Sequence, residues 1–112
     1  MDINIFKYSN LGTKITLYRK TINDITDFNY LLNKINSDEI YVTPVVVNDI
    51  TKLTGMPSNA YGYGLMLTVG SLVPYLKLQI YIEESAINTG SKIYYRTRCD
   101  SGNWRRIMTQ AL

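Results

Sequence analysis

The sequence predicts a mainly β domain, an antiparallel meander with one short helix and an extended N-terminal arm. Three observations point there. Leu65, Leu67 and Val69 alternate with Met66 and Thr68, and Leu76, Leu78, Ile80 and Ile82 alternate with Lys77, Gln79, Tyr81 and Glu83, the two-residue period of half-buried strands. Lys92 to Arg98 and Trp104 to Ile107 flank the loop Cys99-Asp100-Ser101-Gly102-Asn103, which reads as a third strand and a hairpin return. Only one stretch has helical spacing. Phe28, Leu31, Leu32 and Ile35 form an apolar stripe of about two turns, with Thr26 or Asp27 placed to cap it.

In chain order, residues 1–26 are rich in Asn, Thr and Lys, with short alternating pieces at Ile3-Asn4-Ile5 and Lys14-Ile15-Thr16-Leu17-Tyr18. They read as an arm of one or two exposed strands that needs a neighbour to pack on, because an isolated hairpin is marginal in water. The helix follows and ends near Asn36-Ser37-Asp38. Glu39-Ile40-Tyr41-Val42 and Val45-Val46-Val47 are β-branched strand residues interrupted by Pro44, which cannot donate to a ladder and marks an edge or a break. Thr54 to Asn59 is a loop. Tyr61-Gly62-Tyr63-Gly64 lacks the Lys and Ser/Thr of a phosphate loop and reads as the start of a strand whose backbone lies close to a neighbour. The division is therefore an arm at 1–26 and a β domain at 27–112.

The chain has 112 residues, enough for one domain without staples. A single cysteine, Cys99, excludes an internal disulfide and reads as a half-buried residue at a strand end. There is no histidine, so the usual neutral-pH catalyst and commonest transition-metal ligand is missing, and no cofactor or metal is expected. Glu83-Glu84 is an adjacent carboxylate pair on a predicted strand, and neighbours on a strand face opposite ways. No enzyme is expected. The N-terminus lacks the pattern of a secretory signal, and no apolar run approaches the ~20 residues of a membrane-spanning helix.

Net charge is +3, a weak pull toward anionic partners, but four of the five arginines fall between Arg96 and Arg106. Strand alternation sends Ile93, Tyr95, Thr97 and Cys99 to one face and Tyr94, Arg96 and Arg98 to the other. The first set suits a core. The second set, joined by Gln79 and Tyr81 on the preceding strand and by Trp104, is the candidate binding surface, since flat rings stack and guanidinium forks donate directed hydrogen bonds. Such a platform suits sugars, phosphates or single-stranded nucleic acid. Trp104 is either a stacking plate or a seal over the core.

Asp27-Phe28-Asn29-Tyr30, Glu39 to Val42, Leu53 to Pro57, Ala60 to Leu67, Leu78 to Tyr81, and Ile93 to Thr97 with Trp104 follow one another in an order and spacing that resembles the pyocin-knob domain of bacteriophage tail fibres and phage-tail-like bacteriocins. The resemblance spans about residues 27–112. It departs from the family at Glu39, where a glycine is common, and at Ile107, where a second tryptophan is common. It implies a non-enzymatic knob on a virion fibre or spike of tail or head, a homotrimer beside other virion proteins. The implied role is structural within the fibre or host attachment through a surface glycan or teichoic-acid-like polymer, for which the strand reading offers Gln79, Tyr81, Tyr94, Arg96, Arg98 and Trp104. The alternative class is a polyanion- or nucleic-acid-binding β module.

Overall fold

The computed structural model describes residues 18–21, 24–70, 76–84, 92–100 and 103–107. The predicted strands at Ile3-Asn4-Ile5 and at 14–17 lie outside them. The chain is mainly β, as its patterning predicts. Six strands, β1 (Tyr18–Thr21), β2 (Glu39–Val46), β3 (Tyr63–Gly70), β4 (Lys77–Glu83), β5 (Ile93–Thr97) and β6 (Arg105–Ile107), form one open sheet in sequence order, with a single helix α1 (Phe28–Lys34). Strands β2 to β6 are a five-stranded antiparallel meander.

Part of the expected arm belongs to the sheet. Tyr18–Thr21 pairs in parallel with Glu39 to Val42, so β1, α1 and β2 make a βαβ unit, the connection that parallel neighbours require. Pairing with β1 ends at Val42, two residues short of Pro44. That is how β2 carries a proline and stays continuous on the β3 side, where Pro44 sits opposite Leu65.

Asp27 caps α1 as its position predicts, its carboxylate accepting from the N–H groups of Asn29 and Tyr30 at 3.0 and 3.2 Å. Phe28, Leu31, Leu32 and Ile35, the whole predicted stripe, are buried. The helix lies over β3 and β4. Lys77 Nζ donates to Asn33 O near its C-terminal end, and Gln79 Nε2 donates to Phe28 O at its first turn. Glycine backbone lets the covering layer come close. A Cβ at Gly70 would collide with Asn36 O, and one at Gly62 with Val47 O, which is the close approach that the Tyr-Gly-Tyr-Gly stretch predicts.

Register sorts the side chains into two faces. On the helix side, Tyr41, Thr68, Gln79 and Arg96 form one row across β2 to β5, and Thr43, Met66, Tyr81, Tyr94 and Arg106 form the next, reaching β6. On the opposite side the rows are Ile40, Val69, Leu78 and Thr97; Val42, Leu67, Ile80, Tyr95 and Arg105; and Pro44, Leu65, Ile82, Ile93 and Ile107.

The sequence expectation is thereby reversed. The aliphatic face expected to be the core is the partly exposed one, and the polar-aromatic face lies beneath the helix. The core proper is Phe28, Leu31, Ile35, Tyr41, Val45, Ala60, Met66, Tyr81 and Tyr94, with Trp104 packed at its margin.

Candidate functional site

Gln79 and Tyr81 are 0 % exposed, Arg96 4 % and Tyr94 8 %. Four of the six candidate surface residues are therefore interior, and the outward platform they were expected to make is corrected to a buried polar row. The physical reason is that the Gln79 amide and the Nε and Nη1 groups of Arg96 find partners inside. Gln79 Nε2 donates to Phe28 O at 2.9 Å and to Thr68 Oγ1 at 3.0 Å, while its Oε1 accepts from Arg96 Nε at 2.8 Å. Arg96 Nη1 donates to Asn29 Oδ1 at 2.8 Å, tying β5 to the helix. Its guanidinium carbon stands 4.6 Å from the Trp104 ring centroid, a cation over the indole face.

Trp104 resolves its own ambiguity in both directions. Its Nε1 donates to Gly55 O at 3.0 Å and it packs on the core, yet it remains half-exposed. Gly55 has φ +80°, a backbone conformation that aims its carbonyl at the indole and that side chains rarely adopt. Arg98 and Cys99 are exposed, but they lie in a 3₁₀ turn (Arg98–Asp100) after β5 has ended. Cys99 is thus not the half-buried strand-end thiol expected, and the alternation that grouped Arg98 with Arg96 stops at Thr97.

The buried groups titrate accordingly. Desolvation, with the opposing field of Asp27, lowers Arg96 to about 10, so it stays a cation at neutral pH. Burial, reinforced by a hydrogen bond to Glu39 Oε1, pushes the Tyr41 hydroxyl up to about 12. Tyr81 is raised by burial and by Glu83, and Tyr94 by the same two causes. Glu83 itself is buried. Its Oε2 accepts from Tyr61 N at 2.9 Å and more weakly from Tyr94 OH, while Tyr81 OH donates to Tyr61 O. The carboxylate fixes the start of β3, and its neighbour Glu84 is exposed.

Two accessible features of the described surface bear on the candidate residues. One is the aliphatic face. The other is an open groove of about 580 Å³ where the loop at Met56 and Pro57 faces Tyr94, Trp104, Arg105 and Arg106. Of the six predicted residues only Trp104 and the edge of Tyr94 reach it. The arginine cluster in the sequence included Arg105 and Arg106 but gave no reason to join them to residues fifty positions earlier. That link is made by the Trp104 to Gly55 hydrogen bond, which pattern reading does not reveal. No group of three or more His, Cys, Asp or Glu that could hold a metal occurs among the described residues, and no described helix is long and apolar enough to cross a membrane.

Compared with protein families, with curated proteins and with solved structures, the chain matches none.

Proposed function

We propose that this chain is a non-enzymatic structural module of a bacteriophage virion, a fibre or spike knob that trimerises and takes part in host-surface attachment. The observation that carries the assembly half of this reading is the aliphatic face. An antiparallel sheet with one face in water ordinarily carries polar residues there. Here that side presents Ile40, Val42, Leu65, Leu67, Val69, Leu78, Ile80, Ile82 and Ile93, all half-buried, with Val46, Tyr95 and Ile107 exposed at 77 %, 37 % and 40 %. A contiguous apolar patch of this kind marks an interaction surface, and covering it with further copies of the chain removes it from water without a second protein. The ordered resemblance across residues 27–112 supplies the virion setting.

The test is the mass of the purified chain by multi-angle light scattering, with and without Leu67→Lys and Ile80→Lys. A particle of three times the 12.8 kDa chain mass that falls to one chain in the double variant, with unchanged far-UV circular dichroism, supports the reading. A wild-type monomer that stays soluble at high concentration overturns it.

A further inference from the structure

We propose that the groove between the Met56 loop and β6 is a binding site for an anionic saccharide, with Trp104 as its stacking plate and Arg106 as its charge partner. The groove has the composition such a ligand needs. It combines one immobilised aromatic ring, the cationic side chain of Arg106 and small hydrogen-bonding groups, Ser58 and Asn103, with no carboxylate among its described lining. Arg106 and Asn103 are exposed, so neither must be dragged out of a packed position to meet a ligand.

Trp104 is preorganised. Its N–H is held on Gly55 O, and the Arg96 guanidinium stands over its ring, anchored in turn by Gln79 and Asn29. A plate held on so many sides loses little further freedom on binding, which is the main cost that weak saccharide contacts must offset. The C–H face of a pyranose carries partial positive charge and stacks on the negative face of an indole. The guanidinium of Arg106 can then take a carboxylate or phosphate substituent on its paired donors.

The same features argue against nucleic acid. Single-stranded binding builds on successive aromatic platforms along a basic track, and this groove has one tryptophan, with Tyr94 otherwise 8 % exposed. The site faces the helix side of the sheet, where Tyr94 and Arg106 are register partners, whereas the proposed assembly face is the other side. The inference therefore stands on the groove alone and does not need the trimer.

The chain has one tryptophan, so its fluorescence reports this groove directly. Titration with tetragalacturonate should give a saturable change that weakens as salt rises. Neutral maltotetraose should bind about tenfold more weakly, and Arg106→Ala should lose about tenfold in affinity for the acidic sugar alone. Ser58→Phe, which fills the groove from an exposed loop position, should abolish the response while leaving far-UV circular dichroism unchanged. No response to millimolar tetragalacturonate, an equal response in the Ser58→Phe chain, or tighter binding of oligodeoxythymidylate would each overturn the proposal. Binding by the monomeric Leu67→Lys/Ile80→Lys chain would support it whatever the fate of the assembly reading.

Discussion

Gln79 holds the covered side of the sheet together because one amide serves three elements at once. Its nitrogen reaches Phe28 O of α1 and Thr68 Oγ1 of β3, and its oxygen takes the Nε hydrogen of Arg96 from β5. Replacing it by leucine keeps much of the volume but strands a buried cation and a helix carbonyl. Gln79→Leu is expected to cost about 2–4 kcal/mol in urea unfolding, the range for breaking a buried charged pairing. Thr43 gives the opposite sign. Its Oγ1 is buried with no hydrogen-bond partner among the described residues, so Thr43→Val removes a desolvated hydroxyl and should raise stability by about 1 kcal/mol in the same assay. At this scale the sequence was legible as to which residues share a face and illegible as to which face is inside. Alternation separates Gln79, Tyr81 and Glu83 from Leu78, Ile80 and Ile82 but does not label the sets, and the usual rule that aliphatic residues are buried labelled them backwards. A usable signal was present at Gly70, which falls in phase with Met66 and Thr68 and where a Cβ would strike Asn36 O just after the helix, so the covering layer lies on that side.

The elements themselves were largely readable, because each follows from short-range chemistry. The α1 stripe and its Asp27 cap, the start of β3, and the alternation of β3, β4 and β5 are all local patterns. What failed was nonlocal. The pairing of Tyr18–Thr21 with β2 depends on a parallel crossover that no turn signal announces, and the 3₁₀ turn at Arg98–Asp100 ends β5 where side-chain alternation alone would continue it. Asp27 links local and nonlocal effects, since it caps the helix and its charge also acts on Arg96. Two substitutions separate those roles. Asp27→Ala should lose about 1 kcal/mol or more through the cap. Asp27→Asn keeps a capping oxygen and loses only the charge, so it should fall between the alanine variant and wild type in chemical unfolding. If the two variants are equally unstable, the charge rather than the cap is the larger contribution.

For the molecule as a whole, the two faces of one sheet make unlike demands on pH. The aliphatic face is mostly Ile, Leu and Val, whereas the covered face holds Tyr41, Tyr81 and Tyr94, whose hydroxyls are all raised above the ordinary tyrosine value of 10.0 by burial first. A folded-state value above the unfolded one means that the native chain keeps its protons longer. The stability these three contribute is complete below about pH 10 and is lost as pH rises, by about pH 12 for Tyr41. Arg96 works in the reverse sense over the same window. Its folded value of about 10 lies below the ordinary arginine value, so its desolvation cost is relieved as pH rises. The tyrosines set the expected outcome, alkaline unfolding, with Arg96 opposing it in part. Absorbance at 295 nm should show the exposed tyrosines ionising first and the buried ones ionising later, in step with loss of the circular dichroism signal. Tyr41→Phe removes the hydroxyl that bonds Glu39 and should shift the unfolding midpoint to higher pH. A single smooth titration of all ten tyrosines near pH 10 in a chain that stays folded would show that the covered face is open to water, and the buried polar row would then have to be abandoned.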